Sequence, residues 1–256
     1  MKYTKSIYPI IKKEILGKKL FLQEILCPDI AEKAEAGQFV YILPEGFTLR
    51  RPISICDINK EKGSLTIVYE VKQEGTEWIA SRNVGDTLDV LGPLGHGFTL
   101  LSEAKKVVLI GGGIVNPPML PLAKYSGEKA TVISGFRNAE LVILQDEFAD
   151  TGAETILCTD DGTAGRKGFV TEPLRELIAN GDIDAVFACG PKPMLKFVAA
   201  IADEAGVFCE VSLEERMGCG IGACLVCACK LNQNGESRMG HVCKDGPVFS
   251  SKEVEW

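Results

Sequence analysis

The chain has 256 residues, 46% of them hydrophobic and 25% charged, enough for a substantial core divided between two domains and a small module. A formal charge of −7 with no Lys/Arg-rich patch excludes a nucleic-acid-binding surface as the basis of function. The start Met-Lys-Tyr-Thr-Lys-Ser lacks a signal-peptide core, and no apolar run approaches the ~20 residues that span a bilayer, so a cytoplasmic protein with no membrane or nucleic-acid partner is expected. The scattered Cys27, Cys56, Cys158, Cys189 and Cys209 then read as reduced thiols.

In chain order, residues 1–101 are strand-like. Runs at 8–15, 19–26, 38–43, 64–71 and 87–91 are rich in β-branched and aromatic residues, and Gly17, Pro28, Gly37, Pro44 and Gly46 mark turns between them. Short strands with regular turn signals predict a small antiparallel β-barrel, with one helical turn at 78–81. Within it lies Leu49-Arg50-Arg51-Pro52-Ile53-Ser54-Ile55. A guanidinium suits bidentate contact with phosphate, proline fixes the backbone beside it, and a hydroxyl follows three residues on. Taken alone, the same pattern fits a surface arginine beside a strand. Val68-Tyr69-Glu70, Gly75-Thr76 and the glycine-rich turn 92–98 follow.

Residues 102–212 change rhythm. An apolar run at 106–110 ends in Gly111-Gly112-Gly113, and Pro117-Pro118 stand where a helix would begin. Strands are predicted at 130–134, 154–158, 185–189 and 207–211, and helices at 139–148, 171–180 and 193–205. Met194, Leu195, Val198, Ile201 and Ala202 form one apolar stripe, read as core. This alternation predicts a doubly wound parallel α/β sheet, whose ligands bind outside the carboxyl ends of its strands, where the glycine turn and Cys189-Gly190-Pro191 both fall.

The last stretch, 213–256, holds five of the ten cysteines, with a polar turn at 232–235. Cys219, Cys224 and Cys227 form C-x4-C-x2-C, and Cys243 follows. This is the plant-type ferredoxin spacing for a [2Fe-2S] cluster, and Gly218, Gly220 and Gly222 let the backbone curl toward sulfide. A zinc site remains open, although zinc usually takes two tight Cys pairs; a disulfide or chance clustering remains as well. Cys229 breaks the count and reads as a packed, non-ligating thiol.

These segments together resemble the ferredoxin-reductase superfamily of flavoproteins. Within it they are most similar to the electron-transfer subunits of bacterial NAD-dependent dihydroorotate dehydrogenase. The likeness is carried by Arg50-Arg51-Pro52-Ile53-Ser54-Ile55, Thr159-Asp160-Asp161-Gly162-Thr163, Ser212-Leu213-Glu214-Glu215-Arg216-Met217 leading into the cysteine loop, and Val242-Cys243-Lys244-Asp245-Gly246-Pro247-Val248-Phe249. The resemblance implies FAD on the barrel, with Arg51 at its pyrophosphate, Ser54 near the flavin N5, and Pro52, Ile53, Val68, Tyr69, Glu70, Gly75 and Thr76 lining the rest. It implies NAD on the α/β domain at Gly111, Gly112 and Gly113, with Cys189 and Gly190 near the nicotinamide, and Cys219, Cys224, Cys227 and Cys243 as ligands of the [2Fe-2S] cluster. One departure is Ile114-Val115-Asn116, where the family continues Ile-Gly-Val; a β-branched residue there is expected to crowd a pyrophosphate. The second α/β strand ends in Ser134-Gly135-Phe136-Arg137 without an acidic residue for the ribose hydroxyls, which leaves NAD and NADP open.

Nicotinamide exchanges hydride, an iron–sulfur cluster exchanges single electrons, and flavin does both, so FAD lies between the other two. The resemblance places the far end in an FMN-containing dihydroorotate dehydrogenase catalytic subunit, bound in a hetero-oligomer that serves pyrimidine biosynthesis. The alternatives are a reductase subunit for sulfide, sulfite or hydrogen metabolism, and a zinc-stabilised nucleotide sensor. Gly220, Ile221, Gly222 and Ala223 are expected to face the partner.

Overall fold

A computed structural model describes residues 3–181, 183–233 and 235–256. Asn234, within the predicted polar turn, lies outside the described residues. Alternating burial closes the first stretch into a barrel. Its strands are β1 (Thr4–Gly17), β2 (Leu20–Leu26), β3 (Phe39–Leu43), β4 (Arg51–Asn59), β5 (Ser64–Glu70) and β6 (Thr87–Leu94), with helices α1 (Pro28–Ala31) after β2 and α2 (Glu74–Ser81) after β5. They pair antiparallel in the closed order β1-β2-β5-β4-β3-β6. Closure removes the exposed edges that would otherwise invite aggregation. Ile10, Ile25, Ile42, Ile55, Ile67 and Leu88 fill the interior.

One buried amide ties the barrel to its helix. Gln23 is fully buried, yet its Nε2 donates to the carbonyls of Ile79 and Arg82 at 3.1 and 3.3 Å, and its Oε1 accepts from Tyr69 Oη at 3.1 Å. Both ends of the amide are satisfied, as burial requires.

Residues 107–212 form the α/β unit: β7 (Val107–Gly112), α3 (Leu120–Ser126), β8 (Ala130–Phe136), α4 (Gln145–Ala149), β9 (Glu154–Thr159), β10 (Arg166–Lys167), α5 (Thr171–Ala179), β11 (Ala185–Cys189), α6 (Lys192–Glu204) and β12 (Phe208–Ser212). β7 is buried along its whole length because it is covered on both faces. Val108 and Ile110 join the core under α5 and α6, whereas Val107 and Leu109 join the one under α3 and α4. The helix predicted at 139–148 is not continuous. A 3-10 turn covers Ala139–Leu141, Leu144 takes a left-handed φ of 62°, and only Gln145–Ala149 is α-helical.

The final stretch contributes the hairpin β13 (Ala228–Gln233) and β14 (Glu236–His241), then β15 (Val248–Ser250). β15 pairs antiparallel with β12, Val211 opposite Phe249, and so completes the sheet order β10-β9-β8-β7-β11-β12-β15. The barrel is fixed against the sheet by Thr99, whose N–H and Oγ1 both bond the Glu210 carboxylate. The Lys124–Asp57 ion pair at 2.6 Å and an edge-to-face contact of Phe98 with Phe187 add to this. Among the described residues no helix is long and apolar enough to cross a membrane.

Candidate functional site

The loop that carries three of the cysteines is wound so that backbone N–H groups converge on sulfur. Cys219 Sγ accepts from Ile221 at 3.5 Å, Ala223 at 3.2 Å and Cys224 at 3.3 Å, and Cys243 Sγ accepts from Gly222 at 3.2 Å. Burial pushes the Cys219 thiol up, but these donors outweigh it and bring it down to about 6. All four thiols are free of disulfides; Cys227 and Cys243 are buried, and Cys224 is exposed. Two pairs are joined by backbone-to-sulfur hydrogen bonds: the Cys224 N–H donates to Cys219 Sγ, and the Cys243 N–H donates to Cys227 Sγ at 3.4 Å. Among the described residues no three His, Cys, Asp or Glu side chains gather about one ion position. Two such pairs supply the four thiolates that a binuclear iron–sulfur group takes. Cys229 is buried on β13 opposite Gly240, in the same apolar cluster as Cys227 and Cys243.

Behind the loop, a cavity of about 520 Å³ opens where all three parts of the chain meet. Phe39, Pro52 and Ser54 come from β3 and β4, Cys189 and Ser212 from the ends of β11 and β12, and Glu214 and Met217 from the segment leading to the cysteines. Burial, then the Glu214 charge, push the Cys189 thiol up to about 12, against a hydrogen bond with Ser212. Glu214 touches solvent within the cavity yet is walled by protein, and this burial raises its carboxyl, with Lys72 opposing.

The two adjacent arginines have separate employments. Arg50 pairs with Asp89 at 2.8 Å and donates to the carbonyls of Tyr41 and Asp89. Arg51 donates to the Leu49 carbonyl and lies over Phe47 at 5.3 Å, in a cavity of about 330 Å³ shared with Gln73, Glu74 and Gly75. A Cβ at Gly75 would fall on the Arg51 guanidinium, so the glycine lets the arginine sit against the start of α2. Thr76 Oγ1 accepts from the N–H groups of Lys72 and Gln73 and holds that helix start in shape. The remaining barrel residues are not gathered around one cavity by their side chains. Ile53 and Tyr69 point into the barrel core, Val68 packs toward the α/β unit, and Glu70 is half-buried with Lys72 at 4.0 Å.

A third cavity, about 560 Å³ and mostly apolar, lies at the carboxyl ends of the parallel strands. Gly112 and Gly113 line it with Arg137, Asp160, Phe169, Met194 and Phe197. Gly111 and Cys189 are paired across β7 and β11, where the strand order reverses, the position at which doubly wound sheets take ligands. Gly112 and Gly190 lack side chains because Met194 occupies the space that a Cβ would need at either. Val115 does not crowd this cavity. Its side chain is buried in the core beneath α3, and Asn116, fully buried, fills the space over Gly111.

Several of these residues carry no signal in the sequence pattern. The helical spacing of Met194 suits the core stripe, yet the side chain is only partly buried and lines the cavity. Asp160 supplies the acidic side chain missing from β8, from the neighbouring strand end instead. Phe169 and Phe197, 65% and 61% exposed, flank the same opening, and no spacing rule marks them.

Residues 214–255 match the family model described as the iron-sulfur cluster binding domain of dihydroorotate dehydrogenase B. The chain is 43% identical over 225 residues to the dihydroorotate dehydrogenase B (NAD(+)) electron transfer subunit of Caldanaerobacter subterraneus subsp. tengcongensis, covering 87% of this chain and 88% of that one. With the subunit of the same description from Geobacillus sp. (strain WCH70) it shares 39% identity over 254 residues, 96% of each chain. Among solved structures, one described as an NADH-dependent reduced ferredoxin-NADP oxidoreductase of flavin-based electron bifurcation superposes with a TM-score of 0.87 at 32% identity, covering 99% of this chain and 91% of that one. A ferredoxin NADP+ reductase from Neisseria gonorrhoeae with bound FAD and NADP shares the fold, with a TM-score of 0.65 at 20% identity over 81% of this chain and 93% of that one.

Proposed function

Since the chain belongs to the family of electron-transfer subunits of NAD(+)-linked dihydroorotate dehydrogenase B, we propose that it carries electrons between the FMN of a dihydroorotate-oxidising partner and NAD+, through a [2Fe-2S] cluster and FAD, in cytoplasmic pyrimidine synthesis. The observation that carries this reading is the meeting of barrel, sheet and the segment leading to the cysteine loop around one cavity, with the N–H groups of the loop converging on the thiols that follow that segment. When bound, FAD supplies the exchange between two-electron nicotinamide chemistry and the one-electron chemistry of the cluster.

Each residue has a place in that scheme. Arg51 and the start of α2 would hold the FAD pyrophosphate, Arg51 by charge and Gly75 by leaving room for the guanidinium beside that helix start. Pro52 and Ser54 from the barrel and Cys189 and Glu214 from the sheet side line the central cavity and would hold the flavin there, where it would supply hydride and single-electron exchange. Ile53, Val68, Tyr69 and Glu70 act through their backbone, since their side chains build the barrel and its contacts. Gly111, Gly112, Gly113 and Gly190 open the strand ends to the nicotinamide nucleotide, and Asp160 binds its ribose hydroxyls. Cys219, Cys224, Cys227 and Cys243 hold the cluster. The partner docks on the adjoining surface, where Ile221, Leu225 and Val226 are 43%, 58% and 56% exposed and Ala223 is exposed as well, whereas Gly220, expected on that face, is buried against Tyr41.

The TM-score of 0.87 to a ferredoxin-linked oxidoreductase favours a second reading, a reductase subunit serving another redox partner. Anaerobic co-purification from the source cell separates the two. The proposal expects an FMN-containing subunit and dihydroorotate-dependent NAD+ reduction by the complex, while the isolated chain reduces dyes with NADH and does not turn over dihydroorotate. Recovery of a different redox partner, or dihydroorotate turnover by the chain alone, overturns it.

A further inference from the structure

Tyr41 is one of the largest fully buried side chains in the molecule, and it belongs to the barrel, yet its polar end is spent on the cysteine loop. Its hydroxyl lies 3.1 Å from the Met217 carbonyl and 3.0 Å from the Gly218 carbonyl, contacts that reach across 176 and 177 residues of sequence. A phenol has one hydrogen to donate, so the two carbonyls share it. Both belong to the residues immediately before Cys219. On the other side of that cysteine, Gly220 rests against the same ring. A Cβ there would come within 2.5 Å of Tyr41 Cδ1 and 2.8 Å of Cε1, and Gly220 has φ +73°, which itself favours glycine. The backbone is thus held on both sides of Cys219 by one side chain: a hydrogen bond before it and a ring face after it.

The same strand lines the flavin cavity. Phe39 and Tyr41 lie on one face of β3, two residues apart; Phe39 opens onto the 520 Å³ cavity, while Tyr41 pairs with Pro52, which lines it as well. Tyr41 also belongs to the apolar core that contains Cys227 and Cys243. A donor in such surroundings has no water to turn to, so its orientation toward the loop carbonyls is fixed.

We propose that Tyr41 is a positioning residue for electron transfer, pinning the cysteine loop to the barrel so that the separation between the flavin cavity and the cluster is set by one β-strand. This rests on the proposed function, since it assumes a flavin in that cavity and a cluster on that loop. Tyr41 makes no hydrogen bond to the cysteine sulfurs: the Cys219 thiol takes its hydrogen bonds from its own loop.

The test uses the full chain purified with its cofactors, as wild type and as Tyr41→Phe, which keeps the ring and removes the donor. Expected are about tenfold faster loss of iron to a chelator, a changed line shape of the reduced cluster's electron-spin signal, and slower reduction of the cluster by NADH. Reduction of dyes through the flavin stays within about twofold. Gly220→Ala approaches the contact from the loop side and is expected to reproduce the iron loss even if Tyr41→Phe folds poorly. Normal iron retention and an unchanged signal in either folded variant overturn the proposal. A wild-type chain that contains no flavin or no iron overturns the functional reading instead, so the two failures are distinguishable.

Discussion

In the proposed scheme, Asp160 is the one carboxylate of a mostly apolar cavity and selects which nucleotide fits. It shares the opening with Arg137, Phe169 and Phe197, and the aromatic pair offers faces for a flat ring. An acidic side chain there accepts hydrogen bonds from a ribose 2′-hydroxyl and repels a 2′-phosphate. Asp160→Ser is therefore expected to weaken NADH binding about tenfold, from the ~1.5 kcal/mol of a hydrogen bond to a charged acceptor, and to improve NADPH relative to NADH. Steady-state KM values for both nucleotides in dye reduction check this, and an unchanged NADH-to-NADPH ratio would remove Asp160 from the specificity site. The sequence displays Asp160 within a recognisable motif but does not disclose its neighbours. Arg137 lies 23 positions earlier in the chain, on the adjacent strand end, and only the parallel β8–β9 register brings the two to one cavity. The cysteines differ because three of their four positions are local, so spacing alone exposes them. Tyr41 reaches the same region through tertiary contact with residues 176 and 177 positions away, and nothing in its flanking residues announces it.

At the scale of elements, the loop between Cys224 and Cys227 carries a cost that has no packing return within this chain. Leu225 takes φ 63°, a left-handed conformation unfavourable for a side chain with a Cβ, and it is 58% exposed. Leu225→Gly is expected to relieve about 1 kcal/mol of that strain, raising the melting temperature of the holo chain by roughly 2–4 °C for a protein of this size. The same change is expected to weaken binding of the FMN subunit by at least about tenfold, because burial of a leucine side chain is worth ~1.5–3 kcal/mol. Calorimetry and titration with the partner measure the two effects separately. A lower melting temperature would refute the strain, and unchanged affinity would refute the docking role. Leu144 is the other non-glycine residue in this conformation among those described, and it marks where the fold departs from pattern. The apolar spacing of 139–148 suits a helix, yet the left-handed turn at Leu144 divides it, a choice made by burial of Leu144 and Phe148 under the sheet. β4 was hidden for a comparable reason: Arg51 and Pro52 interrupt the alternation of a strand that the barrel needs to close. The other barrel strands and the parallel strands apart from the two-residue β10 were legible because glycine and proline bound them and their apolar pattern follows their covering.

At the scale of the whole molecule, the cysteine module is not appended to the sheet but built into it. β15 adds an antiparallel edge to β12, the Leu213 N–H donates to the Pro247 carbonyl, and the His96 N–H at the end of the barrel donates to the Gly246 carbonyl at 2.6 Å. Cys243 lies only five positions before β15, so whatever fixes Cys243 also fixes the strand that closes the sheet edge. A bound cluster stabilises only the folded arrangement of its four thiols, and that stabilisation is then transmitted to barrel and sheet through these shared contacts. Removing iron from the holo chain with a chelator under reducing conditions is therefore expected to lower the melting temperature of the entire molecule while leaving one cooperative transition. A module hanging free would behave otherwise: a separate low-temperature transition would appear for residues 213–256, and the melting of the barrel and sheet would stay where it was. Differential scanning calorimetry before and after iron removal distinguishes the two, with hydrogen exchange in β12 as the local readout. Faster exchange in β12 after iron removal supports the shared edge, whereas unchanged protection there, with exchange confined to β13 and β14, would show that the cluster and the sheet fold independently.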